Sequence, residues 1–226
     1  MTVLTPTLVL RAYAMGVFPM AESHDADTVY WVDPNMRGVL PLEDFHVPRR
    51  LKRTLRQDRF EVHCDTDFEG VMDGCAAATD NRPETWINAE VRGLFRALYN
   101  MGVVHTVECW QGGALAGGLY GLHLGGVFFG ESMFTRVRDA SKVALVHLAA
   151  RMVHGGFTLL DTQFITDHLS RFGAVEIPRD DYRDLLDEAI AVRAAFPREL
   201  PGSALAAFLD RAQPAPRTEP PAPASG

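Results

Sequence analysis

Apolar positions along the chain recur with two different periods, and the switching between them predicts a mixed α+β fold. Phe60-Glu61-Val62-His63-Cys64 alternates apolar with polar, the period of a half-buried strand. Residues 104–110, 114–122 and 126–129 are longer strand-like runs. Gln111-Gly112-Gly113 between the first two is a hairpin signal, so an antiparallel meander follows. Elsewhere the spacing is helical. Thr5-Pro6 starts a helix with Leu8, Leu10, Tyr13 and Ala14 on one side and Gly16 as its stop. Leu51 and Leu55, at i and i+4, anchor a helix over 48–58. Phe68, Val71, Met72 and Cys75 stripe another over 67–78, and Asn88 caps a fourth that runs through Tyr99.

The stretch from Asp139 or Ser141 to His154 is apolar on nearly all sides, which predicts a central helix. A strand to Leu160, a short helix over 167–172, a strand over 174–177 and a last long helix over 180–195 complete the pattern. Near the start, 29–32 and 37–40 read as extended, with Asp33-Pro34-Asn35 as the turn between them, and Val17-Phe18-Pro19-Met20 as a tight extended turn. Residues 79–84 read as a polar loop. Residues 213–226 hold five prolines and predict a disordered tail, with a short helix over 204–208 in front of it. The division expected is a small N-terminal domain over 1–36, a main domain over 37–198 and a Pro/Ala-rich tail over 199–226.

Composition narrows the class. At 226 residues, 47% hydrophobic and 23% charged, the chain is long enough for a substantial core and ordinary for a soluble protein. No apolar run reaches the ~20 residues of a membrane span, and the first residues lack a basic start and a cleavage site. The compartment expected is the cytoplasm. Three cysteines without a close pair, and histidines without ligand spacing, predict neither a disulfide framework nor a metal. The net charge of −7 argues against general nucleic-acid coating. Yet Arg49, Arg50, Lys52, Arg53, Arg56 and Arg59 stand against a single Asp58. That basic stripe suits local contact with an anionic polymer, or it is a solvated helix face.

The candidate chemistry sits where apolar strands run into polar residues. Glu131 follows Gly126-Val127-Phe128-Phe129-Gly130, and Asp161 and Gln163 leave the end of Phe157-Thr158-Leu159-Leu160 on one side. A carboxylate in such surroundings costs free energy without a partner. Polar groups at the ends of adjacent buried strands form sites in α/β proteins. The alternative is that each carboxylate only caps a helix or pairs with an arginine.

Sheet, central helix and a strand with a polar end resemble the GNAT acyltransferase superfamily. The coenzyme A users of that fold place a glycine-rich turn before the central helix. Here that place holds Thr135-Arg136-Val137-Arg138-Asp139-Ala140-Ser141-Lys142, without a glycine. Arg136, Arg138, Lys142 and the helix N-terminus are still candidates to hold a phosphate.

A more specific resemblance lies in a series of short motifs. Gly16-Val17-Phe18-Pro19-Met20, Tyr30-Trp31-Val32-Asp33-Pro34, Thr85-Trp86-Ile87-Asn88 and Gly117-Gly118-Leu119-Tyr120-Gly121 occur in this order. Gly130-Glu131-Ser132-Met133-Phe134, Ala140-Ser141-Lys142, Asp161-Thr162-Gln163 and Gly173-Ala174-Val175-Glu176-Ile177-Pro178 follow. Together they resemble the leucyl/phenylalanyl-tRNA–protein transferase family. The resemblance implies a GNAT-like, mostly antiparallel mixed sheet flanked by helices, behind a small N-terminal α/β domain. It also implies transfer of leucine or phenylalanine, with methionine a third candidate, from aminoacyl-tRNA to proteins with N-terminal arginine or lysine. No cofactor, no metal, no membrane and a monomer are expected.

Carried over by motif, Asp161, Gln163 and Glu131 are the catalytic group. Leu119, Phe128, Leu145 and Leu160 would line the aminoacyl pocket, with plain core as the alternative for each. Trp86, Trp31, Tyr13, Ser141 and Lys142 would meet the tRNA 3′ end. Arg49, Arg50, Lys52, Arg53 and Arg56 would touch its backbone. Two competing functions remain at this point: a coenzyme A-dependent N-acetyltransferase, and a non-catalytic reader of protein N-termini or tRNA ends.

Overall fold

A computed structural model describes residues 4–26, 28–78 and 85–212. The whole loop expected over 79–84 and the tail from 213 onward lie outside the described residues. The elements follow in chain order. First come α1 (Pro6–Ala14), β1 (Phe18–Ala21), β2 (Val29–Val32), β3 (Met36–Val39), α2 (Arg49–Arg56) and β4 (Glu61–Cys64). Then come α3 (Phe68–Ala76), α4 (Ala89–Asn100), β5 (Val104–Gln111), β6 (Ala114–Leu124), β7 (Val127–Thr135) and α5 (Ala140–His154). The last are β8 (Leu159–Gln163), α6 (Asp167–Ser170), β9 (Val175–Pro178), α7 (Arg179–Ile190) and α8 (Gly202–Arg211).

β1 and β2 form a two-stranded antiparallel ribbon, so Phe18-Pro19-Met20 is paired strand and not a lone turn. The other seven strands make one sheet in the order β4-β5-β6-β7-β8-β3-β9. Every pair is antiparallel except β7 with β8, which are parallel and joined through α5. The result is a mixed, mostly antiparallel sheet flanked by helices. β3, which precedes the meander in sequence, returns to pair with β8 and β9 on its far side. That long-range pairing has no local signature.

Strand alternation divides the core between the two faces. Leu119, Phe128 and Leu160 point to the α5 face, where α2 and α8 also pack. Their neighbours Tyr120, Phe129 and Leu159 point to the face covered by α1, α3, α4 and α7. α5 is buried along eleven of its fifteen residues, which is why its sequence shows no polar stripe. At ~1.5–3 kcal/mol for each fully buried large side chain, it is the main anchor of its face. α7 ends at Ile190, short of the expected 195, and the chain then crosses Gly126 and Gly155 as irregular backbone. α8 is longer than the short helix expected and belongs to the fold: Phe208, Leu209 and Ala212 enter the α5-side core. Lys52 Nζ donates to the carbonyls of Leu209 and Ala212, both at 2.7 Å, tying α2 to the open end of α8.

Candidate active site

The parallel pair β7–β8 parts early. Its register runs Val127↔Leu159, Phe128↔Leu160 and Phe129↔Asp161, and stops there. Beyond that point β7 continues along β6, while β8 turns to β3, where Gln163 faces Gly38. Glu131 and Asp161 both stand where the strands separate. A bulge sets Glu131's direction. Gly121 pairs with Gly130 and Tyr120 with Ser132, so Glu131 is an extra residue with no partner on β6.

Asp161 is fully buried and fully engaged. Arg37 Nε donates to its Oδ1 at 2.9 Å and Arg37 Nη2 to its Oδ2 at 2.6 Å, a bidentate pair. Tyr182 Oη donates to Oδ2 at 2.7 Å, and the backbone N–H of Gln163 to Oδ1 at 2.8 Å. Arg37 itself is 1% exposed. It lies 4.5 Å from the centroids of both Phe18 and Tyr182 and donates from Nη1 to the Gly16 carbonyl at 2.9 Å. Burial works against its charge, but the Asp161 carboxylate outweighs that and its pKa is raised. The arginine-pairing alternative therefore describes Asp161 correctly. The partner comes from β3, 124 residues away. Burial, then the Asp161 charge, push the Tyr182 hydroxyl up, so it stays a donor.

Glu131 has a different environment. Its Oε1 accepts from Tyr13 Oη at 2.7 Å. Burial raises the Glu131 carboxyl to about 8, with the Asp161 charge adding to the rise and the Tyr13 bond and Arg37 opposing it. The Asp161 charge thus reaches Glu131, as between neighbours at one site. Burial first, and Glu131 second, push the Tyr13 hydroxyl well up, so Tyr13 donates at every physiological pH. Tyr13 is fully buried, edge-on to Phe129 at 4.8 Å between centroids. This moves Tyr13 from the expected 3′-end group to the support of Glu131, because a buried ring has no free face for a base.

Gln163 adopts φ +57, a left-handed conformation that few non-glycine residues take. Its side-chain Nε2 is buried and makes no hydrogen bond among the described residues. Strain and an unsatisfied donor at the end of a site strand are features that ligand binding can offset.

The remaining expected residues divide. Leu119, Phe128, Leu145 and Leu160 come together in one cluster on the α5 face, each at most 2% exposed, so they are core in this state. Trp31 on β2 is 40% exposed, and Trp86 is half-buried against the opposite core. Ser141 is buried, and Lys142 Nζ pairs with Asp139 Oδ1 at 2.9 Å. Arg136 is drawn onto the fold, with Nη1 on the Leu115 carbonyl at 3.1 Å and its guanidinium over the Phe134 ring. Asp139, at φ +71, occupies the N-cap position of α5 without capping it. A carboxylate at that helix end disfavours a pyrophosphate there. Arg49, Arg50, Arg53 and Arg56 are exposed along α2, whereas Lys52 is turned to α8. Among the described residues no group of three or more metal-ligating side chains occurs, and no helix is long and apolar enough to cross a membrane.

Sequence reasoning missed Arg37, Tyr182 and the Tyr13 role. Arg37 carried a signal: a lone arginine between Met36 and Gly38-Val39-Leu40 at the start of an extended run.

Two parallel strands parting over a central helix, with a carboxyl poised near neutrality at the parting, define a GNAT-like group-transfer domain. Comparison with known proteins narrows the class. The family model "Leucyl/phenylalanyl-tRNA protein transferase" matches residues 39–187, and "Leucyl/phenylalanyl-tRNA protein transferase N-terminal domain" matches residues 3–35. The chain is 62% identical over 195 residues to the leucyl/phenylalanyl-tRNA–protein transferase of Paramagnetospirillum magneticum, covering 86% of this chain and 93% of that one. It is 58% identical over 214 residues to the protein of the same name from Nitrobacter winogradskyi, covering 92% and 95%. The chain belongs to the leucyl/phenylalanyl-tRNA–protein transferase family.

Proposed function

We propose that the chain is an aminoacyltransferase that moves leucine or phenylalanine, with methionine a third candidate, from aminoacyl-tRNA to the α-amine of proteins beginning with arginine or lysine. It acts as a monomer in the cytoplasm, without a cofactor. The observation that carries the reading is the pair of carboxyls at the strand parting, Asp161 buried and held by Arg37, and Glu131 half-buried and bonded to Tyr13.

An aminoacyl ester is already activated, so the enzyme has to position the partners, accept a proton and stabilise the oxyanion. The amine nitrogen attacks the ester carbonyl carbon, and the bond from that carbon to the ribose oxygen breaks. Among the described residues, Asp161's side-chain hydrogen bonds go to Arg37, Tyr182 and Gln163, so it acts as a positioning residue that fixes the turn at Gln163. Glu131, raised to about 8, matches the ~7.7–8.0 of an α-ammonium group. It takes the proton lost by the amine and returns one to the departing ribose oxygen. The side-chain oxygen of Gln163 orients the amine.

The exposed arginines of α2 hold the acceptor stem by its phosphates, and Trp86 and Trp31 are the aromatic faces offered to the 3′-terminal base. Opening of the cluster around Leu119, Phe128, Leu145 and Leu160 admits the aminoacyl side chain, which is then selected by size alone. Transfer of labelled leucine from charged tRNA to an Arg-starting peptide tests the reading. Glu131→Gln and Asp161→Asn should each lower turnover more than tenfold with the fold retained. Near-normal transfer by a folded variant would remove that residue's role. Stabilisation by acetyl-coenzyme A but not by an aminoacyl-adenosine analogue would favour an acetyltransferase instead.

A further inference from the structure

On the α5 face of the sheet, away from Glu131, a cavity of about 650 Å³ lies between α2, β4, α5 and the segment leading into α8. Its lining includes Arg151, His147, Cys64, Val143, Thr54 and Leu205. Arg151 is 3% exposed, yet it lacks what Arg37 has. Its Nη1 donates to His147 Nδ1 at 3.2 Å and to the His147 carbonyl at 3.4 Å, its side chain also bonds the Cys64 thiol, and among the described residues its Nε has no hydrogen-bond partner. Among the described residues no carboxylate forms an ion pair with it. The C-terminal end of α5 offsets part of the charge, but a buried cation without a counter-ion is a costly arrangement.

The buried carboxylates that reach the same Cys64 thiol, Asp65 and Glu108, are bonded elsewhere: Asp65 to His105, Arg198 and the Thr106 N–H, and Glu108 to Thr106 and the N–H groups of Thr66 and Asp67. Burial pushes the Cys64 and Cys109 thiols up to about 12, so both are uncharged. Burial, and then Arg151 itself, push His147 down to about 3. Because His147 Nδ1 accepts from Arg151, the neutral ring carries its proton on Nε2 and is a second donor. Asp58, Glu61 and Glu199 also line the cavity, but all three are exposed at its rim, where water and salt screen them. Arg198 at the rim is tied to Asp65 at 2.8 Å, and Arg59 is exposed.

We propose that this cavity binds a phosphate group, carried by a free small molecule or by a nucleic-acid backbone, through Arg151 and His147. A guanidinium fork fits the oxygens of a phosphate bidentately. Thr54 and Leu55 of α2 form part of one wall and the exposed Arg59 lines the cavity just beyond that helix, adding positive charge that favours multiply charged anions. The volume falls within the ~300–1,000 Å³ typical of small-ligand sites.

Titration of the full chain with inorganic phosphate tests this. Saturable binding is expected, weakened at least tenfold by Arg151→Met and also reduced by His147→Leu. In the wild-type protein the Arg151 Nε–H resonance should shift on phosphate addition, a readout that needs no variant. A tRNA acceptor-stem minihelix that displaces phosphate identifies the nucleic-acid backbone as the source. Phosphate retained beside bound minihelix identifies a free small molecule. No saturable binding and no shift of that resonance, or equal binding by folded Arg151→Met, overturns the proposal.

Discussion

Replacing Arg37 by leucine is the sharpest test of how the site is held. The substitution removes both bonds to Asp161, the bond to the Gly16 carbonyl, and a cation from between Phe18 and Tyr182. Asp161 keeps only the Tyr182 hydroxyl and the Gln163 N–H. Removing one member of a buried ion pair costs about 3–5 kcal/mol, because the other is left charged and dry. Against a typical total of ~5–15 kcal/mol, the variant should retain a fold with a much lower urea midpoint. Adding Asp161→Asn removes the bare charge and keeps a side-chain acceptor for the Tyr182 hydroxyl and the Gln163 N–H. The residual cost is then mainly the orphaned Gly16 carbonyl, about 1–3 kcal/mol, so the double variant should be more stable than the single one. Transfer activity should be lost in both. Equilibrium urea unfolding with constant slope is the measurement. A single-variant cost under ~1 kcal/mol, or a double variant no better than the single, would refute a charge-locked Asp161.

Three further outcomes follow from the same geometry. Glu131 is raised from 4.5 to about 8, so the stability it contributes is fully present below pH 4.5 and is lost as pH rises through about 8. Glu131→Gln should therefore gain unfolding stability relative to wild type between pH 5 and pH 8.5, and its transfer rate should lose the limb near 8; parallel stability curves would contradict this. Gln163→Gly frees the backbone at φ +57 while deleting the side chain, so unfolding stability should hold or rise as transfer falls more than tenfold. Retained transfer would remove the orienting role. Neutralising Arg49, Arg50 and Arg53 together should weaken every accepted tRNA about equally and flatten the log Kd–log salt slope by up to about 3. A loss confined to one tRNA species would point to base contacts instead.

What was legible in the sequence was whatever is local. The cap at Thr5 accepts from the Leu8 N–H at 3.3 Å, and Asn88 caps α4 through the Val91 N–H at 2.8 Å. The meander follows from its glycine turn, and α5 from its unbroken apolar surface. Glu131 and Asp161 stood out because carboxylates interrupt apolar runs. What was hidden depends on pairing across the chain. The strand containing Arg37 joins β8 from 124 residues away, and Tyr182 reaches Asp161 from a helix whose pattern reads as ordinary core packing. The roles of the two acids were likewise invisible, because they follow from partners and not from residue type. Met20 illustrates the limit from the other side: the motif marked its place, and the structure shows a half-buried side chain on a paired ribbon.

The unpaired position of Glu131 on β7 separates chemistry from architecture. On either side of it, the ladder with β6 is complete, from Gly121↔Gly130 in one direction and from Tyr120↔Ser132 in the other. Excising that single residue would let the two halves close into one regular hairpin while removing the carboxyl proposed to accept the proton. A length change of one codon, with no change in the neighbouring sequence, would thus strip out the proposed chemistry and leave the scaffold to fold as before.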